Sequence, residues 1–103
     1  MKEELTPVIF RKFIDGEDVI AIFPTIPGDM SLKSCLSYMH IGQHGACNIG
    51  IVTITTLATP KEYKDLHDEL ISIGYNLKVY QRMIAKHWRE RLQTLAMSMK
   101  LED

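Results

Sequence analysis

The sequence has few of the features that mark a secreted, membrane-spanning or strongly charged protein. Its two cysteines, Cys35 and Cys47, are too few for a disulfide framework, although a single bridge between them is compatible with the sequence. No apolar run approaches the roughly 20 residues that a membrane-spanning helix needs, and the N-terminus lacks the apolar core of a secretory signal. The formal net charge of −1 gives no overall attraction to nucleic acid or acidic lipid. These absences predict a cytoplasmic protein with reduced thiols and no membrane partner.

Internal repeats, low-complexity segments and linkers rich in proline, glycine or serine are also missing. At 103 residues the chain has the length of one domain and is too short for two. Its balance of 46% hydrophobic and 24% charged residues is that of a folded protein and not of a disordered one. We therefore expect a single small globular domain over residues 1–103, with residues 1–6 and 100–103 frayed.

Apolar segments separated by turn residues predict a sheet in the first half of the chain. Residues 8–14 and 19–23 are rich in β-branched and aromatic side chains, and the glycine-containing turn between them predicts a β-hairpin. Pro24 cannot donate a backbone hydrogen bond, so we expect it to end the second strand and to leave residues 24–31 as a loop. Residues 34–40 favour a third strand, although a short helix fits them almost as well.

The middle of the chain predicts a loop followed by a strand. Residues 41–48 contain two glycines and an asparagine, which favour a loop. In residues 49–57, Val52 and Ile54 alternate with threonines, the pattern of a half-buried strand.

Residues 59–74 carry both the start and the stop signals of an amphipathic helix. Thr59 and Glu62 have the spacing of a capping box, and Gly74 suits the left-handed position just past the helix end. Residues 77–83 then alternate like a strand. The short strand–helix–strand connections suggest a right-handed βαβ crossover, provided that both strands lie in one sheet.

A final helix from residue 84 onward completes the predicted fold. One of its faces carries an apolar stripe, which consists of Ile84, Trp88, Leu92, Leu95 and Met99. If nothing in the monomer covers this stripe, it predicts a homodimer interface. The elements follow the order β-β-β-β-α-β-α, which predicts an α+β fold with a mostly antiparallel sheet of four to five strands and two helices.

Two cysteines and two histidines lie close together in the sequence, in the order Cys35, His40, His44 and Cys47. Thiolate and imidazole are ligands that zinc prefers, so these four residues are a candidate metal site. Their spacing is not the paired C-x2-C of a zinc ribbon, however. Either thiol could instead be a nucleophile if a histidine activates it. Buried thiols and loop imidazoles are the commoner interpretation, and we assign no residue a catalytic role.

Residues 42–45 read Gly-Gln-His-Gly, which matches neither GxGxxG nor a P-loop. The glycines are better explained by a sharp turn of the chain. Histidine and glutamine on a loop between framework elements lie where binding residues are usually found. His40, Gln43 and His44 are therefore the candidate ligand- or partner-binding residues, and no cofactor is expected.

A basic stretch covers residues 82–91 and could contact the phosphates of a nucleic acid. The candidate contacts are Arg82, Lys86 and Arg89. A solvated helix face, with Trp88 in the core and His87 at the surface, is the simpler explanation, so nucleic acid is not the expected partner. The sequence favours a small non-enzymatic binding or interaction module. The alternatives are a small enzyme or metal-binding protein that uses residues 35–47, and a weak nucleic-acid binder.

The segments VIFRK, DVIAIFP, CLSYMHIGQHG and EYKDLHDELISIGYNLKV together resemble a family of short bacterial and phage-borne proteins of unknown function. The similarity extends over about residues 8–82 and is most distinctive in CLSYMHIGQHG. It implies an origin in bacteria or mobile elements and a cytoplasmic location. The family has no established activity, so the resemblance assigns no role to any residue.

Overall fold

The computed structural model describes residues 5–16, 18–39 and 43–101, and it has the predicted α+β fold. Six strands form one sheet in the described part of the chain: β1 (Thr6–Phe13), β2 (Val19–Pro27), β3 (Ser34–Met39), β4 (Gln43–Asn48), β5 (Thr55–Leu57) and β6 (Leu77–Val79). The two α-helices are α1 (Pro60–Ser72) and α2 (Ala85–Leu101), and a 3₁₀ helix covers Ile49–Thr53.

The strand order is β4-β3-β2-β1-β5, and β6 also pairs with β1. All pairings are antiparallel except that of β6, which runs parallel to β1. The pairs Arg11↔Leu57 and Val8↔Val79 show that β5 and β6 share one edge of β1. Because β5 and β6 run in opposite directions, the connection through α1 is not the predicted right-handed βαβ crossover.

The predicted β-hairpin is confirmed by β1 and β2, but the second strand is longer than expected. It continues through Pro24 to Pro27, and its register with β3 shifts between Phe23 and Pro27. A shifted register leaves residues outside the ladder, so a proline there costs no ladder hydrogen bond. The prediction that Pro24 ends the strand was therefore wrong.

Residues 34–40 were predicted to favour a strand, and β3 confirms it over Ser34–Met39. The loop predicted for residues 41–48 was wrong, because Gln43–Asn48 forms the edge strand β4 against β3. Residues 41 and 42 lie outside the described part of the chain. The strand predicted from residue 49 was wrong in its first half, where the 3₁₀ helix leaves Val52 and Ile54 exposed.

The helix predicted over residues 59–74 is confirmed as α1, including its termini. The Thr59 hydroxyl accepts from the Glu62 N–H at 3.3 Å, and the Glu62 carboxylate accepts from the Thr59 N–H at 2.9 Å. Gly74 has a φ of 115°, which glycine adopts without a steric penalty. Leu66 and Leu70 of this helix are buried against one face of the sheet, in a cluster that includes Phe10.

Helix α2 packs on β2 at the opposite face of the sheet, where Ile9 and Ile22 belong to a second apolar cluster. The buried side chains among its residues 85–98 are spaced four residues apart and are His87, Arg91 and Leu95. Of the predicted stripe, Leu95 is buried, Trp88 and Leu92 are half-buried and Ile84 is exposed. The prediction of a surface position for His87 was wrong, and so was the inclusion of Arg91 in a basic surface.

The homodimer through Ile84, Trp88, Leu92 and Leu95 stays a prediction. Leu95 is already buried within the monomer, so such an interface would depend on the more exposed members of the stripe. Within residues 5–16, 18–39 and 43–101, no helix is long and apolar enough to cross a membrane.

Candidate functional site

The structure separates the cysteines of the candidate metal set from the described histidine. Cys35 and Cys47 are direct partners across β3 and β4, and both contribute to the cluster on the α2 side of the sheet. His44 lies on the other side, with its ring 4.7 Å from that of Tyr38. His40 is outside the described residues. The three described members therefore do not converge on a zinc ion, and His44 is not placed to activate either thiol.

Among the residues that the structure describes, no group of three or more His, Cys, Asp or Glu side chains is arranged to hold a metal ion. Met83, which carries a thioether sulfur, packs against the same cluster as the two cysteines.

His44, the described side chain of the predicted binding loop, is exposed and joins a polar cluster on the α1 side. The side chain of Gln43 lies outside the described part. The Nε2 atom of His44 is 2.8 Å from the Tyr75 hydroxyl, and the Tyr38 hydroxyl donates to the Glu69 carboxylate. Burial raises the pKa of Tyr75, so its hydroxyl keeps its proton at neutral pH. These contacts attach β3 and the edge strand β4 to α1 and the segment after it.

A polar cleft at the start of α2 was not predicted from the sequence. Its volume is about 330 Å³, and its charged and aromatic lining comprises Lys78, Tyr80, Lys86, His87 and Glu90. Two elements supply these side chains: β6 with the residue after it, and the first turns of α2. The Tyr80 N–H donates to the Val8 carbonyl at 2.8 Å, which fixes this segment against β1.

Two contacts, with Ile84 and Tyr80, hold the His87 side chain in this cleft. Its Nδ1 atom accepts from the Ile84 N–H at 3.2 Å, and its ring meets the Tyr80 ring edge-on at 4.4 Å. Because Nδ1 accepts, Nε2 carries the proton of the neutral ring. The side chain is only 1% exposed, and Nε2 has no hydrogen-bond partner among the described residues.

Burial lowers the pKa of His87, since water is not available to solvate the imidazolium. Glu90 opposes that shift and Lys86 adds to it. The first turn of α2 contains no acidic residue, so the positive end of the helix dipole is not neutralised within it. Lys86 lies 3.8 Å from Glu90, and the Lys78 ammonium lies 5.4 Å from the centre of the Tyr80 ring. The cleft thus offers cationic groups, and the His87 ring lines it with a buried, protonated Nε2.

The three residues predicted to contact nucleic acid are all exposed, and two of them line different cavities. Lys86 lines the polar cleft, whereas Arg82 lines a separate apolar cavity of about 90 Å³ on the α2 side of the sheet. Arg89 is exposed on α2, and Arg91, two residues further on, is buried. The basic stretch of the sequence is therefore divided among different environments.

Sequence reasoning missed the cleft because its residues are spread over β6, the following segment and α2. The signal that could have found it is the spacing of His87, Arg91 and Leu95, which places two polar residues on the buried face of a helix. Comparisons with protein families, with curated proteins and with solved structures find no match to this chain.

Proposed function

We propose that this protein is a small non-enzymatic binding module, and that the cleft at the start of α2 binds a small molecule with a phosphate or carboxylate group. The observation that carries the proposal is the buried Nε2–H of His87, which has no partner among the described residues. A buried donor without an acceptor costs about 1–3 kcal/mol. An anionic oxygen that reaches Nε2 from the cleft would remove that cost.

The charges around His87 favour an anion over a cation. Lys78 and Lys86 line the same cleft, and one carboxylate, Glu90, offsets them in part. The start of a helix adds backbone N–H groups and a positive partial charge, which is why anions bind at helix N-termini. A volume of about 330 Å³ suits a small ligand.

Binding is a better explanation of this cleft than proton-transfer catalysis. His87 cannot accept a proton at Nδ1 without losing the hydrogen bond from the Ile84 N–H, and its Nε2 is already protonated. Glu90 is paired with Lys86, whose ammonium lies 3.8 Å from its carboxylate. The cleft therefore presents donors and charge without a free base.

The test is a titration with inorganic phosphate at low salt, in which the NMR chemical shifts of the Lys86 and His87 backbone amides are the readout. Lys86→Ala removes one cationic contact and should weaken binding by about tenfold, the ratio that corresponds to ~1.4 kcal/mol. Lys61→Ala is the matched control, because Lys61 is an exposed lysine on α1. Equal weakening by both substitutions, or amides that do not shift, would contradict the proposal.

Two further arms identify the source of the anionic group. Acetate in place of phosphate tests a carboxylate ligand. A short single-stranded RNA tests the nucleic-acid alternative, for which Arg82→Ala and Arg89→Ala should weaken binding of the RNA and leave that of free phosphate unchanged. We place the module in the cytoplasm, where its two thiols would stay reduced.

A further inference from the structure

Sulfur atoms gather on the α2 side of the sheet. Cys35 and Cys47 face each other across adjacent antiparallel strands, where directly opposed Cα atoms lie about 4.5–5.5 Å apart. The Cys35 Sγ and Met83 Sδ atoms lie 3.1 Å and 3.5 Å from the same nitrogen, Nη1 of Arg91. Two thiols and one thioether are thus brought together from β3, β4 and the segment before α2.

Arg91 places a positive charge in this buried site. Arg91 is 1% exposed, and it pairs with no carboxylate among the residues that the structure describes. Its Nη1 also donates to the Pro24 carbonyl at 2.9 Å, and its Nε has no partner there. A buried guanidinium is costly unless a negative charge compensates it. The site therefore has sulfur ligands and lacks one negative charge.

We propose that Cys35 and Cys47 bind one copper(I) ion as thiolates, with Met83 as a thioether ligand and Arg91 as the counter-charge. The two thiols release two protons and copper enters as Cu⁺, so the bis-thiolate complex carries a net charge of −1 and no electron is transferred. That charge neutralises Arg91. The site is independent of the anion cleft and goes beyond it.

The ligand types select this metal over zinc. Thiolate and thioether are soft ligands that suit copper(I), whereas structural zinc requires four ligands from Cys, His or carboxylate. Hydrogen bonds from N–H groups to the sulfur ligands adjust the reduction potential of metal–thiolate centres. Nη1 of Arg91 already makes such a contact with the Cys35 sulfur.

The raised thiol pKa values are compatible with metal binding. Burial raises the pKa of Cys35 to about 11 and also raises that of Cys47. The charge of Arg91 opposes both shifts but is the smaller effect. A coordinating metal deprotonates a thiol outright. The same raised pKa values disfavour oxidation, which needs a thiolate.

Cys47 is the more accessible of the two thiols. It is half-buried, whereas Cys35 is buried. We therefore expect the metal to reach Cys47 first.

The experiment titrates copper(I) into the reduced, full-length protein without oxygen, in competition with the coloured chelator bicinchoninate. One copper ion per chain should leave the chelator, with release of two protons in weak buffer. Cys47→Ser should weaken binding at least about 100-fold, and Met83→Leu, which keeps the volume, about tenfold. Met30→Leu is the control, because Met30 is exposed, and it should leave the affinity unchanged.

Circular dichroism of each variant shows whether it is folded, and Cys47→Ser is chosen over Cys35→Ser because Cys47 is the less buried thiol. Copper that stays with the chelator would overturn the proposal. Binding that survives Cys47→Ser would do so too. A reduced chain that forms a Cys35–Cys47 disulfide in air, yet withdraws no copper under anaerobic conditions, would assign the pair to redox chemistry instead.

Discussion

Arg89 and Arg91 are identical residues two positions apart on α2, and they lie in opposite environments. Arg89 is exposed, whereas Arg91 contacts the Trp88 ring at 4.6 Å and donates to the carbonyls of Pro24 and Leu32. The buried arginine thus joins α2 to the end of β2 and to the loop before β3. Its role is to stabilise the tertiary structure, and the charge of the side chain alone does not predict this role.

Arg91→Ala should lower the free energy of unfolding by about 2–4 kcal/mol, since it leaves a cavity and removes the donor of a buried carbonyl. Arg91→Met should cost less, because it keeps volume and removes the buried charge. Arg89→Ala should stay within about 0.5 kcal/mol of the wild type, as an exposed substitution does. Urea unfolding of the three variants measures these differences. A loss for Arg91→Ala no larger than that for Arg89→Ala would contradict the contacts.

His87 gives the stability of the protein a pH dependence of known sign. Its pKa in the folded protein is lowered from the ordinary value of 6.5, mainly by burial. The unfolded chain therefore binds more protons, and the stabilisation from neutral His87 is complete above pH 6.5 and is lost as pH falls through the folded-state pKa. Lys86, Glu90 and Tyr80 are the titratable groups that face the ring.

The free energy of unfolding of the wild type should decrease below pH 6.5 by more than that of His87→Gln. The glutamine variant keeps an acceptor and does not titrate, so the difference between the two proteins isolates the imidazole. Chemical unfolding at steps between about pH 7.5 and pH 5 would measure it, because this range runs from above to below the ordinary histidine pKa. Parallel curves for the two proteins would show that His87 does not titrate in a buried environment.

At the scale of elements, those that depend on local sequence signals were predicted well, and those that depend on tertiary pairing were not. Helix α1 was predicted with its termini because the Thr59–Glu62 cap and Gly74 act within a few residues of each other. Strand β4 was missed because its backbone pairing with β3 stabilises it, while its exposed side chains show no apolar alternation. The buried face of α2 was misassigned because His87 and Arg91 are polar, and the prediction assigned only apolar residues to that face.

The candidate metal site was likewise predicted only as far as local sequence spacing allowed. Residue types at short spacing suggested the Cys35–Cys47 segment, and the β3–β4 register does bring these two thiols together. The same register places His44 on the other face, because side chains alternate along a strand. Residues 41–48 were a loop in the prediction, so the alternation could not be applied to His44 and Cys47. Met83 and Arg91 join the thiols only through the packing of α2.

The end of β2 is held against the β3–β4 hairpin at Gly28, and this close approach gives an element-scale prediction. A Cβ atom at Gly28 would lie 2.5 Å from the Cys35 carbonyl oxygen and 2.8 Å from the Ala46 Cβ. Gly28→Ala should therefore destabilise the protein by about 1–3 kcal/mol, the usual cost of overpacking. Gly16→Ala is the matched control, since a Cβ there meets nothing within 4 Å. Thermal melts that fall equally for both variants would exclude steric crowding at Gly28.

At the scale of the whole molecule, one sheet separates two apolar clusters. Alternate residues of β1 and β2 belong to opposite faces, as Phe10 and Ile9 illustrate. Helix α1 covers one face, and α2 together with the 3₁₀ helix covers the other. Because every central strand belongs to both clusters, neither layer can lose its packing without exposing the back of the other. We therefore expect the two layers to unfold as one unit.

Trp88 is the single tryptophan of the sequence and lies on α2, so its fluorescence reports one layer alone. Leu66 is buried in the other layer, on α1. Leu66→Ala should cost about 2–5 kcal/mol and should shift the Trp88 transition as far as the far-ultraviolet circular dichroism transition. Met97→Ala, at a side chain 66% exposed on α2 itself, should shift neither. A Trp88 transition that stays in place while circular dichroism moves would mean that α2 and its cluster unfold separately, and that the shared sheet does not couple the two faces.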